Sequence, residues 1–245
     1  MAHLIPFLED YLYPSNIKLL ETPSGHFYEV NGETLPSVTT ILRATDERGY
    51  QLTWGRYTDA ETQEAVRARA ARIGTTMHST IEAVLRGTPI APPQDLHEVR
   101  AHHMAYRLVE GAILGRVTGI YAMEQALYSH GRYAGTADLI AVHDRRLTII
   151  DFKSAGGIPP PLWIKDYFLQ LAAYAIAHDE MQGTRTDHGA IMLASKRSND
   201  IQVYRTAGRD FDNYKDHWKR RVDEYYRLQE LAKKDAPPAM GAGEA

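Results

Sequence analysis

Three β-prone segments lie close together in the middle of the chain, and they limit the folds that this sequence can adopt. They cover residues 122–128, 136–142 and 147–153, and short turn-forming stretches separate them. This spacing predicts consecutive, largely antiparallel strands. A helical segment at 165–178 then precedes a second strand pair, HGAIMLA and DIQVYRT, joined by KRSN. Because helical patterns also precede the first strands, the order predicts one α/β domain with a central mixed sheet flanked by helices.

The N-terminal part predicts an extension of this domain. Residues 24–35 are typical of a β-hairpin, because Asn31-Gly32 favours the positive φ angles of a tight turn. Ser37 then suits the N-cap of a short helix, VTTILR. We expect a single domain over 1–234, with its core at about 60–234 and a hairpin-and-helix extension at 1–59. The last residues, 235–245, are expected to be a disordered tail.

Apolar spacing predicts three further helices. The first runs from about Ala60 to Arg86 with a break near Gly74. The second runs from Asp95 to about Leu114, and the third is capped by Asp210. The apolar side of the second is predicted to carry Leu96, Val99, Met104, Leu108 and Ala112, and that of the third Phe211, Tyr214, Trp218, Val222 and Tyr225.

Composition excludes several classes of protein. The 245 residues contain no cysteine, which excludes a disulfide scaffold, a thiolate metal site and a cysteine nucleophile. The formal net charge of −3 gives no global sign of nucleic-acid binding, so that function has to be argued from local motifs. No signal peptide or membrane span is recognisable. We therefore expect a cytoplasmic protein without membrane association, in the host cytoplasm if a phage encodes it.

The strongest chemical signal is Asp138, followed by Asp151-Phe152-Lys153. Side chains alternate along a strand, so Asp151 and Lys153 share one face while Phe152 points to the other. A turn through 143–146 would return the chain and bring Asp151 near Asp138. The two carboxylates and the Phe152 carbonyl oxygen would then form an oxygen-rich site suited to Mg²⁺ or Mn²⁺.

Each of these signals is weak when taken alone. An Asp-x-Lys triplet is expected by chance in a chain of this length, and a solvated ion pair at a strand end is the plain alternative. His78 and Glu82 lie one helical turn apart, as do Gln170 and Tyr174. Either pair, considered singly, is more typical of structural contacts than of a functional site.

The complete set is more specific, and it resembles a known family. The segments are LPSVTTIL at 35–42, Trp54 before a helix, IGTTMHSTIE at 73–82, YAGTADLIA at 133–141, IIDFKS at 149–154 and LQLAAYA at 169–175. In this order they resemble the RecB-like exonucleases of the PD-(D/E)xK nuclease superfamily. The similarity covers roughly residues 27–225 and is greatest to the branch of mitochondrial genome-maintenance and phage exonucleases. It implies a restriction-endonuclease-like core.

The resemblance also implies roles for individual residues. His78, Asp138 and Asp151 would surround the metal, Lys153 would be the catalytic lysine, and Gln170 with Tyr174 would lie beside the scissile phosphate. Glu124 is a further candidate ligand. Further candidates for contacts to DNA are Arg69, Arg72, Thr75, Ser154 and Gly135, the last because it leaves room for a DNA backbone. Without cysteine, the iron–sulfur cluster of some RecB-like relatives is excluded.

These expectations define a metal-dependent deoxyribonuclease. The resemblance favours an exonuclease acting on free ends or single-stranded DNA in replication, recombination or repair, with a possible protein partner from those processes. Two alternatives stay open at this point. One is a structure-specific endonuclease of the same superfamily, and the other is a protein that binds DNA on a nuclease fold without cleaving it.

Overall fold

The computed structural model describes residues 4–46 and 60–235. A small antiparallel sheet comes first, in the strand order β1-β2-β3. Its strands are β1 (Lys18–Thr22), β2 (Gly25–Val30) and β3 (Glu33–Pro36). Asn31 and Gly32 have φ angles of 50° and 85°, so the predicted hairpin turn is confirmed. The pattern of the sequence did not reveal β1, a mostly exposed strand that pairs with β2.

Helix α1 (Val38–Ala44) joins this sheet to the rest of the molecule. Ser37 caps it as predicted, because the side-chain oxygen accepts a hydrogen bond from the Thr40 amide at 3.0 Å. Ser37 also forms a parallel bridge with Ala134 of the central sheet. The N-terminal extension therefore packs directly on the core that it precedes.

Two long helices follow, and both differ in part from the prediction. Helix α2 (Ala60–Arg86) is continuous, so the expected break at Gly74 is wrong. A side chain at Gly74 would meet Ser154 Oγ at 4.0 Å, an ordinary van der Waals distance, so the packing does not require a glycine there. Helix α3 (Leu96–Leu108) begins one residue after its predicted start, Asp95, which is its N-cap, and a π-helical turn, Val109–Ile113, continues it.

The buried side of α3 is also shifted from the predicted one. Met104 and Leu108 are buried, together with Ala101 and Ala105. Leu96 and Val99, which we expected on the apolar face, are exposed. They belong to the first turn of the helix, which extends past the core.

The central sheet has five strands in the order β4-β5-β6-β7-β8. The strands are β4 (Val117–Ser129), β5 (Tyr133–His143), β6 (Arg146–Ala155), β7 (His188–Ser195) and β8 (Ile201–Ala207). Every neighbouring pair is antiparallel except β6 and β7, which are parallel. The predicted hairpin at 143–146 is confirmed, with Asp144 and Arg145 at φ angles of 48° and 66°. The sheet is therefore mixed, as the sequence predicted.

The parallel pair needs a crossover, which α4 (Lys165–Gln182) provides after a 3₁₀ turn at Pro161–Ile164. The last helix, α5 (Gly208–Asp235), begins at Gly208, two residues before the predicted cap Asp210. Asp210 lies in its first turn, where a carboxylate also stabilises the helix. Asp235 ends α5 and is thus helical, while the rest of the expected tail lies outside the described residues, as does Trp54.

Hydrophobic cores lie on both faces of the central sheet. On one face α1, α4 and α5 pack around Leu169, Phe211 and Trp218. On the other, α2 and α3 pack around Met77, Leu108 and Phe152. The predicted fold class, a central mixed sheet flanked by helices with an N-terminal antiparallel extension, is confirmed. Among the described residues, no helix has the length and apolar character that crossing a bilayer requires.

Candidate metal centre

Three acidic residues form a row across three neighbouring strands. Leu139 of β5 pairs with Ile150 of β6, and the two strands are antiparallel. Continuing this register by one residue places Asp138 opposite Asp151. In the other direction, Met123 pairs with Leu139 and Gln125 with Ala137, so Glu124 lies opposite Asp138. Like charges directly opposite each other destabilise a sheet. The row therefore has a cost that a nearby positive charge has to offset.

Asp138 lies at the point where the hydrogen-bond ladder between β5 and β6 ends. Its Oδ2 accepts a hydrogen bond from the Phe152 amide at 2.7 Å, taking the place of a backbone acceptor. The residue is 8% exposed. Burial raises the pKa of Asp138, although His78 and Lys153 act in the opposite direction.

Asp151 is completely buried, and its contacts are few. Lys153 Nζ lies 2.5 Å from its Oδ2, and Oδ1 has no hydrogen-bond partner. Burial raises the pKa of Asp151 to about 6, since it outweighs the attraction of Lys153. Asp151 and Lys153 thus share one face of β6, as predicted, and Phe152 is buried in the opposite core.

Lys153 is held from two sides. Besides Asp151, its ammonium group lies 5.2 Å from the centre of the Tyr167 ring, at cation–π distance. Burial alone lowers the pKa of Lys153, but Asp151 and Asp138 reverse this effect and raise it. The lysine is therefore kept as a fixed positive charge beside the two acids.

His78 reaches the acidic row from α2. Its Nε2 donates a hydrogen bond to the Phe152 carbonyl oxygen at 2.9 Å. Nδ1 lies 3.6 Å from both Glu124 Oε1 and Asp138 Oδ2. Burial lowers the pKa of His78, but Asp138 and Glu124 more than offset it and raise the pKa to about 9. Glu82, its neighbour on the helix, instead pairs with Arg86 at 2.8 Å.

The contact with Phe152 assigns distinct tasks to the two ring nitrogens. Since the carbonyl can only accept, Nε2 carries a proton, and Nδ1 is the nitrogen that faces the acids. Such a hydrogen bond is how proteins commonly orient a metal-binding imidazole. The carbonyl that we expected as a ligand thus contacts His78 in this structure.

Glu124 has an unusual backbone conformation for a residue inside a strand. Its φ angle is 48°, in the left-handed region that non-glycine residues rarely adopt. Strain of this kind persists where the surrounding structure imposes it, and it concentrates at functional sites. Here it accompanies a carboxylate directed at His78.

The residues present fit a divalent cation. His78, Glu124 and Asp138 each offer a ligand atom, and these atoms lie within 4.8 Å of one another. Imidazole and carboxylate groups suit Mn²⁺ and related cations, and carboxylates suit Mg²⁺. The buried, unpartnered oxygen of Asp151 beside this group is a further acceptor in need of a positive charge.

Gln170 and Tyr174 lie on α4. Gln170 Nε2 donates to the Tyr174 hydroxyl oxygen at 2.9 Å, and both side chains are buried. Burial, with a contribution from the charge of Asp151, raises the pKa of Tyr174 well above its ordinary value. The two residues that the sequence set apart as a pair are therefore in contact.

Sequence reasoning missed two residues near the centre. Tyr28 of β2 hydrogen-bonds through its hydroxyl to Thr136 Oγ1 at 3.0 Å, and Tyr167 contacts Lys153. Tyr28 comes from a separate sheet, so no local pattern pointed to it. Tyr167 lies three residues before Gln170 on the same helix, and this spacing was the available signal.

The residues expected to contact DNA differ in their exposure and in their ion pairs. Arg72 pairs with Asp95 at 2.8 Å and Glu98 at 2.6 Å, so its charge is compensated. Arg69 and Thr75 are exposed on α2, and Ser154 is partly buried.

The packing gives Gly135 a structural role. A side chain at Gly135 would come within 2.7 Å of the Tyr174 ring and 3.1 Å of Val38 Cγ2. The glycine therefore allows Tyr174 to pack close to the sheet, and its contact with a DNA backbone stays a prediction.

Comparison with known proteins finds a sequence relative. No family model matches the chain. It is 28% identical over 217 residues to mitochondrial genome maintenance exonuclease 1 of Xenopus tropicalis. The match covers 82% of this chain but 60% of the relative, so the chain spans less than two thirds of the relative's length.

Solved structures give weaker similarities. The crystal structure of SSO0001 has a TM-score of 0.41 and 17% identity, covering 82% of this chain and 78% of the other. The crystal structure of Scheffersomyces stipitis Rai1 has a TM-score of 0.28 and 11% identity, covering 91% and 56%. These values are too low to support an argument about function.

Proposed function

We propose that the chain is a divalent-metal-dependent deoxyribonuclease, and that it degrades DNA as an exonuclease. The observation that carries this proposal is the row of Glu124, Asp138 and Asp151, joined by His78 and Lys153. Asp138 and Asp151 are buried acids with few protein partners, an arrangement that is costly unless it serves binding or catalysis.

The similarity to a mitochondrial genome maintenance exonuclease supports DNA as the substrate and free ends as the point of attack. From the resemblance of the sequence motifs we propose a preference for single-stranded DNA or free ends, in replication, recombination or repair. An unpaired strand also exposes its backbone without the need for a helicase. We further propose that the N-terminal sheet and the mixed sheet act as one nuclease domain, since Tyr28 and Ser37 link the two.

His78, Glu124, Asp138 and Asp151 would hold the cation, which we propose to be Mg²⁺ or Mn²⁺. When bound, such a cation polarises the phosphodiester group and favours deprotonation of a water molecule. The protein's own contribution is to fix these ligands before substrate binds. The hydrogen bond from His78 to Phe152 and the one from the Phe152 amide to Asp138 both serve this purpose.

Hydrolysis adds one water across the P–O bond. The water oxygen forms a bond to phosphorus, the bond from phosphorus to the leaving sugar oxygen breaks, and that oxygen gains a proton. We assign Lys153 to the attacking side, where its fixed charge orients the water and stabilises the negative charge that develops on the phosphate. Gln170 and Tyr174 act as positioning residues, because they are hydrogen-bonded to each other and Tyr174 lies close enough to Asp151 for that charge to raise its pKa.

The experiment that tests this function uses linear and circular single-stranded DNA in the same tube, with Mg²⁺, Mn²⁺ or EDTA. We expect loss of the linear strand with either metal, survival of the circle, and no loss with EDTA. Asp138→Asn should be inactive. Asp223→Asn, which removes an exposed partner of Arg132 far from the acids in sequence, is the control and should retain activity.

Each contrary result has a distinct meaning. Equal loss of circular and linear strands would show that the protein is an endonuclease, because a circle has no free end. DNA binding without any metal-dependent cleavage would leave a non-catalytic DNA-binding protein. Full activity of Asp138→Asn would show that the site is wrongly assigned.

A further inference from the structure

A groove lies outside the candidate metal centre, between α3 and the turn that joins β7 to β8. It has a volume of about 410 Å³. Arg100 and Arg107 line it from the helix, and Lys196 and Arg197 line it from the turn. Leu96 and Val99 also line it and are 82% and 48% exposed, which is unusual for large apolar side chains.

The charge of the groove is largely uncompensated. Within the part of the chain that the structure describes, none of its four cationic side chains forms an ion pair. Asp200 is the acidic residue in its lining, and it accepts a hydrogen bond from Ser198 at 2.6 Å. Arg107 Nε is buried without a hydrogen-bond partner. Clustered cations of this kind repel one another and attract a polyanion.

The groove begins where the strand that carries Lys153 ends. The Lys196 amide donates to the Ala155 carbonyl oxygen at 2.7 Å. A side chain at Gly156 would come within 3.8 Å of Arg197 Nε. Ala155 and Gly156 follow Lys153 by two and three residues, so the chain leads from the centre directly to the cationic turn.

We propose that this groove binds the backbone of single-stranded nucleic acid beyond the nucleotides at the metal centre, with Arg100 and Arg197 as phosphate contacts. The inference rests on the proposed function and adds the residues that hold the strand outside the centre. A single strand matches both features of the groove. Its phosphates pair with the cations, while its sugars and unpaired bases cover Leu96 and Val99.

The test measures binding by fluorescence anisotropy in EDTA, so that no strand is cleaved. It compares the wild type with Arg100→Ala/Arg197→Ala and with a control, Arg185→Ala/Arg209→Ala. All four arginines are exposed, and both double variants change the charge equally. The probes are single strands of about 20 and about 5 nucleotides, chosen to exceed and to fall short of a typical site size.

We expect the groove variant to bind the long strand about 10-fold more weakly, because it loses two phosphate contacts. The slope of log affinity against log salt should fall by about 1.4, since each contact to a single strand contributes about 0.7. The penalty should be smaller for the short strand. The control variant should stay within about twofold of the wild type on both probes.

If the groove variant binds DNA with the same affinity and the same salt slope as the wild type, the inference is overturned. That result is also the one expected if the groove binds an acidic protein and not a nucleic acid. The proposed function would survive that result, provided that the wild type degrades DNA with Mg²⁺. A wild type that neither binds nor degrades DNA would overturn both. Should the alanine variant have a lower melting temperature, Arg100→Gln/Arg197→Gln repeats the comparison with less lost packing.

Discussion

The aspartate–lysine pairs Asp179–Lys215 and Asp151–Lys153 are both shielded from solvent, and they differ in what surrounds the acid. Asp179, near the end of α4, accepts hydrogen bonds from Thr184 Oγ1, from the Thr186 amide and hydroxyl, and from Lys215 Nζ at 3.0 Å. Asp151 has Lys153 and an oxygen without a hydrogen-bond partner. The first acid is fully satisfied by the protein, and the second is not.

The pKa values follow this difference. Burial raises the pKa of Asp179, but its hydrogen bonds outweigh burial and lower it overall. For Asp151 the attraction of Lys153 does not outweigh burial, and the pKa of Asp151 rises to about 6. The comparison teaches that an aspartate–lysine pair alone says little about function. What matters is whether the fold supplies the remaining partners of the carboxylate.

The largest expected effect is a difference in the rate of DNA hydrolysis between variants of Lys153 and of Lys215. Lys153→Met should lower the rate of DNA hydrolysis about 10²- to 10³-fold, because a fixed charge at the reacting phosphate is lost. Lys215→Met removes a lysine that binds Asp179 and the Thr186 carbonyl oxygen. It should retain roughly the wild-type rate at temperatures well below its melting point. The measurement is the initial rate of hydrolysis of an end-labelled single strand. Equal losses of rate in the two variants would contradict the different roles assigned to the two lysines.

A smaller effect should separate the two acids, measured as the free energy of unfolding by urea without divalent cations. Asp179→Asn should lose about 1–3 kcal/mol at neutral pH, because it breaks hydrogen bonds to a charged group. Asp151→Asn should lose less, since burial already disfavours the charged form of that residue.

The pH dependence of stability sharpens this comparison. The folded pKa of Asp179 is lowered, so its stabilisation is present above the ordinary carboxyl value and is lost as the pH falls through the folded value. The difference between wild type and Asp179→Asn should therefore shrink in acid. A greater loss for Asp151→Asn than for Asp179→Asn at neutral pH would contradict our account of the two sites.

Much of the fold could be predicted from local pattern. Asn31-Gly32 and the turn at 143–146 correctly predicted two hairpins. The alternation of side chains along β6 correctly predicted that Asp151 and Lys153 share one face. The helix boundaries were less certain. Gly74 lies inside an unbroken helix although local pattern predicted a break there, because the modest helix penalty of one glycine is overridden by the rest of the fold.

The candidate site was predictable in its residue types and less so in its contacts. Asp138, Asp151 and His78 could be selected from the sequence, but the place of Glu124 in the row depends on the register of β4 against β5. Tyr28 reaches Thr136 from another sheet, and Gly135 packs against Tyr174 from α4. Such contacts arise from tertiary packing, which spacing along the chain does not encode.

The central claim is that a divalent cation binds at His78 and the neighbouring acids, where a buried oxygen of Asp151 has no hydrogen-bond partner in the protein. Titration of Mn²⁺ followed by electron paramagnetic resonance tests it most directly, because the signal of free Mn²⁺ falls as ions bind. The account predicts that the wild type and Asp179→Asn take up Mn²⁺ alike, and that Asp138→Asn binds it far more weakly. Equal uptake by Asp138→Asn and the wild type, or no uptake by the wild type, would contradict it.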